Sequence, residues 1–278
     1  MISIIHIIDS ICEVILPISY FATVVAYGLA FFREDTFARE WKSRLLVITV
    51  SIHAIYIGFH TMEYSRCMVT TPFEIMSLVA FTIIATYWFI ERRVGARETG
   101  TFMVGIAFLF QLIAATMMRD VSEPNPILKN FSVGIHISTA IFGFSAITIS
   151  AVYGMLYLLL YREIKVSSFG RTFKQLPSLA SLEKLSTYAT IVGFFFLTIA
   201  IIIGVFDLPR TFENFSYYDP KLIVTVFVWA IYGGVLFAHF IGKVEGRRIM
   251  MLSLGGFFMA LFSMTIINAF LSGFHKFY

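Results

Sequence analysis

Apolar positions fall into eight long, nearly unbroken stretches separated by short polar connections. They run approximately over 11–32, 45–63, 73–91, 101–118, 131–161, 186–206, 222–242 and 250–274. A helix needs about 20 apolar residues to cross the hydrocarbon core of a bilayer, so each stretch predicts a spanning helix. The fifth is too long for one simple crossing and is expected to project past the bilayer, ending near Tyr161-Arg162-Glu163. Before the sixth, Pro177 to Leu185 reads as a short amphipathic helix. Before the seventh, Tyr218-Asp219-Pro220 reads as a turn followed by a helix start, with Asp219 as its cap. The fold class is all-α: a polytopic membrane protein with eight transmembrane helices in a single integral-membrane domain, residues 1–278. No internal repeat or low-complexity tract interrupts it.

Composition supports this pattern. Of 278 residues, 58% are hydrophobic and 14% charged, with a mean hydropathy of +0.83. A soluble domain is nearer half apolar and a quarter charged, so a soluble enzyme and a DNA-binding domain are both excluded. The net charge of +4 acts on topology rather than on nucleic acid. Basic residues cluster after the first, third, fifth and seventh stretches: Arg33, Arg39, Lys42 and Arg44; Arg92, Arg93 and Arg97; Arg162, Lys165, Arg171, Lys174 and Lys184; Lys243, Arg247 and Arg248. That side holds fifteen against six on the other, which predicts that both termini lie outside the cytoplasm. Met1 is followed by no basic n-region or small-residue cleavage site, so no cleavable signal is expected. Cys12 and Cys67 form no CxxC pattern and carry no thiol-redox or zinc motif.

Ionisable groups inside a membrane are costly and mark function by default. Glu13, Glu63 and Glu74 fall near the outer ends of their stretches, which argues against a buried acidic relay for proton-coupled transport. The six histidines are His6, His53, His60, His136, His239 and His275. His53 lies nine residues from Arg44, about 13 Å along a helix, and His239 lies four from Lys243, about 6 Å. These depths overlap, whereas His60 is about 24 Å from Arg44. His136 opens the fifth helix and His275 closes the eighth, both on the outer side. The depths thus permit an inner and an outer pair. A neutral imidazole is a good iron ligand, and two facing histidines suit a six-coordinate haem. The same residues can equally bond a serine, a threonine or a backbone carbonyl on a neighbouring helix, and the depths alone leave both readings open. Phe206, Phe212, Phe215, Tyr217 and Tyr218 could lie against a porphyrin face with Arg210 or Lys221 at its carboxylates, or could form an interfacial aromatic belt.

Several segments taken in order resemble a known family, the haem-handling cytochrome c assembly proteins of the CcsA (ResC) and HemX branch. They are His53 with Thr71-Pro72-Phe73-Glu74; Ile135-His136-Ile137-Ser138 with Tyr153-Gly154-Met155-Leu156-Tyr157-Leu158; Pro177 to Ser186 with Gly193-Phe194-Phe195-Phe196-Leu197-Thr198; Ala238-His239; and Asn268 to His275. The resemblance covers the chain from the second helix onward, about 45–278. It implies a haem-handling assembly factor of the bacterial inner membrane rather than an enzyme. Haem b is the implied cofactor, ligated by His53 with His239 inside and by His136 with His275 outside, with Tyr217, Tyr218 and Asp219 as further contacts. An assembly partner protein or a tetrapyrrole-biosynthesis enzyme is the implied protein partner. Haem-presenting relatives carry a tryptophan-rich outer loop ending in Trp-Asp-Pro-Lys-Glu. Here Tyr217-Tyr218-Asp219-Pro220-Lys221-Leu222 keeps Asp-Pro-Lys without a tryptophan. That departure is nearer the HemX subgroup and implies an alternative function, modulation of haem synthesis at the glutamyl-tRNA reductase step.

Overall fold

The computed structural model describes residues 4–64, 68, 69, 71–117, 131–167, 170–211 and 216–265, without the side chains of 4, 171, 172, 208 and 211. Every regular element among them is helical, and eight helices are long and apolar enough to cross a membrane. The chain packs as two compact units, Met1–Glu123 and Pro124–Tyr278.

In the first unit, α1 (Ile4–Phe32) lies against α2 (Thr36–Tyr64) and α4 (Gly100–Met117), and α3 (Pro72–Val94) lies against α4 and α2. Local sequence sets the helix ends. Asp35 Oδ1 accepts from the Ala38 amide (2.8 Å) to open α2. Thr71 accepts from the Glu74 amide (3.1 Å), with Pro72 in the first turn, to open α3. Gly95, at φ +75°, takes the left-handed position that closes α3, where any Cβ would be strained. A one-turn 3-10 segment, Arg97–Thr99, then leads into α4. Two spans start well before their apolar stretches: α1 at Ile4 rather than near 11, and α2 at Thr36 rather than near 45.

The second unit is built on α5 (Phe131–Lys165) and α7 (Leu179–Phe206), its most extensive helix contact. α9 (Pro220–Phe240) packs on α7, and α10 (Arg247–Phe262) on α5 and α9. The 35 residues of α5 make it roughly 52 Å long, longer than the about 30 Å hydrocarbon core, as its sequence predicts. Short helices α6 (Arg171–Gln175) and α8 (Leu208–Thr211) lie in the connections. Pro177 to Leu185 is not a separate amphipathic helix. Ser178 caps α7, and residues from Leu179 form its first turns. Apolar packing centres on Ile147, Ala151, Leu197, Val228, Tyr232 and Phe257. Gly193 admits α5 closely, since a Cβ there would sit 2.9 Å from Ile147 Cγ1 and 3.3 Å from the Gly143 carbonyl.

Candidate functional site

His53 is fully buried in α2, and three other helices supply its surroundings. Tyr20 of α1 places its hydroxyl 2.8 Å from Nδ1, and Ser77 of α3 places Oγ 3.2 Å from Nε2. Ser77 spends its one hydroxyl proton on Gln111 Oε1 of α4 (2.8 Å), so toward His53 it can only accept. The proton of the neutral ring is therefore on Nε2, and Nδ1 accepts from Tyr20. The relay reads Tyr20 O–H to Nδ1, Nε2–H to Ser77, Ser77 O–H to Gln111. Phe81 and Tyr56 close over the ring at 5.1 and 6.2 Å between centroids.

The second unit holds His136 and His239. His136 stands in the second turn of α5, and its Nδ1 lies 3.0 Å from the Ala200 carbonyl of α7. A carbonyl only accepts, so Nδ1 bears the hydrogen and Nε2 of the neutral ring keeps the lone pair. His239 stands in the last turn of α9, and its buried Nδ1 has no hydrogen-bond partner among the described residues. It lines a tight crevice with Ser186, Thr187 and Thr190 of α7 and with Ser253 of α10. Thr187 Oγ1 is likewise buried without a partner among the described residues. Beside them, Ser150 Oγ lies within hydrogen-bond reach of Ser186 (3.0 Å), Thr190 (2.7 Å) and Ser253 (3.0 Å).

α7 serves as a ruler between these two rings. The His239 crevice meets it at 186–190 and His136 meets it at Ala200. Ten to fourteen residues of helix separate them, about 15–21 Å. Tyr217 belongs to the His136 end, for its hydroxyl donates to the Val205 carbonyl of α7 at 3.4 Å. Tyr218 is 87% exposed. Asp219 is buried and uses Oδ1 to accept from the Lys221 amide (2.9 Å), capping α9 as its sequence predicts. His275, Phe212 and Phe215 lie outside the described residues.

Several polar groups were not singled out from the sequence, Tyr20, Glu91 and Asp9 among them. Tyr20 partners His53. Glu91 is buried at the other end of the first unit, accepting from Tyr27 and Ser43. Asp9 is buried beside His60, with Oδ2 3.3 Å from Nδ1. The apolar stretch put the start of the first helix near residue 11 and so left Asp9 outside it. His6 is half-exposed, 3.5 Å from Glu63.

Residues 69–275 match the family described as cytochrome C assembly protein. The chain is 20% identical over 261 residues to Protein HemX of Bacillus subtilis, covering 93% of this chain and 94% of that one. It is 22% identical over 257 residues to the cytochrome c biogenesis protein CcsA of Heterosigma akashiwo, covering 80% of each. It is 24% identical over 169 residues to the inner membrane protein YpjD of Escherichia coli K12, covering 59% of this chain and 62% of that one. The family match takes in His136, His239 and His275, whereas Asp9, Glu13, His53 and His60 precede it.

Proposed function

This chain belongs to the cytochrome C assembly protein family, and from that premise we propose that it binds haem b in the membrane and carries it outward for cytochrome c assembly. One observation carries the reading: two histidines of the second unit, some 15–21 Å apart along α7, each keep a ring nitrogen suited to iron. At His136 the Ala200 carbonyl holds the proton on Nδ1 and leaves the Nε2 lone pair able to bind a metal, the carbonyl being the kind of outer partner that metal-bound imidazoles ordinarily have. At His239 a buried Nδ1 lacks a partner among the described residues. An unpaired buried polar atom costs about 1–3 kcal/mol, which a ligand would relieve.

His53 and His275 complete the ligand set. His53 can ligate only by giving up Ser77, and Tyr20 makes that exchange cheap. A phenol hydroxyl accepts as readily as it donates, so the ring proton can move to Nδ1 while its bond to Tyr20 persists. Haem, when bound, would supply an iron that these imidazoles could ligate. The protein binds the macrocycle, orients it and excludes water. The basic-residue asymmetry supports a topology in which both termini lie outside the cytoplasm of a bacterial inner membrane. His239 is then the inner station for capture, and His136 with Tyr217 and Tyr218 the outer station for display to an assembly partner. Asp219 contributes by holding the α9 terminus in place.

A second reading, a HemX-like modulator of the glutamyl-tRNA reductase step, is favoured by the missing tryptophans of the 217–222 segment. The deciding experiment is a visible spectrum of detergent-purified protein, oxidised and reduced, beside the His53/His136/His239/His275→Ala variant. A haem spectrum present in the wild type and lost in the variant is expected. No haem in the wild type after haem loading would overturn the carrier reading and leave the modulator.

A further inference from the structure

The N-terminal end of the first unit holds a second cluster that the haem reading does not use. Asp9 and Glu13 lie one turn apart on α1, where residues four apart share a face. His60 of α2 and Glu74 of α3 complete the group. Asp9, His60 and Glu74 are 2–3% exposed. One donor atom each from Asp9, Glu13 and His60 lies within 4.8 Å of the others. The two nitrogens of His60 face different carboxylates, Nδ1 at 3.3 Å from Asp9 Oδ2 and Nε2 at 3.9 Å from Glu74 Oε1. Two atoms in the cluster are left over: Asp9 Oδ1 and His60 Nε2 are buried and have no hydrogen-bond partner among the described residues.

We propose that Asp9, Glu13 and His60 bind a divalent transition-metal ion of the zinc class, with Glu74 as the hydrogen-bond acceptor behind the imidazole. A metal on the Asp9 side takes the lone pair of Nδ1 and obliges Nε2 to carry the proton, and Glu74 is the carboxylate facing that nitrogen. This is the carboxylate–histidine–metal arrangement that fixes the tautomer of a ligating histidine and strengthens it as a ligand. Coordination also gives Asp9 Oδ1 a partner, which it lacks among the described residues. One imidazole with two carboxylates suits zinc, manganese(II) or iron(II) better than calcium or magnesium, which take oxygen donors alone. Zinc bonds of about 2.0–2.2 Å put neighbouring donors roughly 3.4 Å apart. Closing the 4.8 Å spread takes side-chain shifts on the order of 1 Å, with water as the remaining ligand. Tyr56 and Tyr64 flank the ring at 5.4 and 4.6 Å, and Glu13 is the exposed member of the three ligands.

The test uses the full chain in detergent, stripped with chelator, reloaded with zinc and desalted, with bound metal counted by mass spectrometry. Retention of one equivalent is expected. Asp9→Asn and His60→Gln should abolish it, Glu74→Gln should weaken it about 10–100-fold, and His6→Gln should leave it unchanged. Retention of no zinc by the wild type would overturn the proposal, as would full retention by both Asp9→Asn and His60→Gln. Cobalt(II) on the unmutated protein reads the donor set without any variant. Bands of nitrogen and oxygen coordination support the site, and a thiolate charge-transfer band would move the metal to a cysteine and sink it.

Discussion

The buried histidines show how one hydrogen bond decides what a ring can do. Ser77 has a single proton and gives it to Gln111, and that fixes the tautomer of His53. Tyr20→Phe removes the donor to Nδ1 and leaves a buried acceptor unsatisfied, at a cost of about 1–3 kcal/mol. Ser77→Ala strands both Nε2–H and Gln111 and is expected to cost more than Tyr20→Phe. Thermal unfolding of the detergent-solubilised protein measures both. The control is Tyr20→Phe in a His53→Leu background, where an apolar pair replaces a polar one and the added loss should largely vanish. Equal losses in both backgrounds would mean that the phenol stabilises by packing alone. None of this was legible in the sequence, because Tyr20 and Ser77 are 33 and 24 residues from His53 and meet it only after the helices pack. Asp219 was legible because its partner, the Lys221 amide, is two residues away.

Whole elements obey rules that the sequence carries more openly. All eight apolar stretches correspond to helices, since a lipid-exposed backbone must satisfy its own polar groups. Their ends are less legible, because helices run on past their apolar runs wherever polar side chains find partners. Asp9 is the consequence at the first helix, and the merger of 179–185 into α7 the consequence at the sixth. Two substitutions test how the second unit is held. Gly193→Leu drives a side chain into Ile147 and the Gly143 carbonyl. It should destabilise by about 1–3 kcal/mol or more, read as a lower unfolding midpoint and early loss of monodisperse protein. Asp219→Ala should cost about 0.5–2 kcal/mol through the lost cap, and Asp219→Asn should restore most of it. If Asp219→Asn instead weakens haem retention as much as Asp219→Ala, the carboxylate meets the ligand and does more than cap the helix.

In the proposed carrier, the direction of haem movement would depend on a property of the whole chain, the fifteen-to-six distribution of its basic residues. Each station takes its meaning from the side it faces, since His239 captures only if the C-terminal end of α9 meets the cytoplasm. The ends of α9 offer exposed positions for a direct test, Tyr218 before it and Glu245 after it. With Cys12 and Cys67 changed to serine, Tyr218→Cys should react with a membrane-impermeant maleimide on intact cells, and Glu245→Cys only after the membrane is opened. The reverse pattern would turn the protein over and make His136 the point of entry, with the ligand chemistry unchanged. Labelling of both from outside would mean that α9 does not span, and the two stations would then share one face. Only the expected pattern lets His239 and then His136, about 15–21 Å apart on one helix ruler, act in sequence from the cytoplasmic face outward.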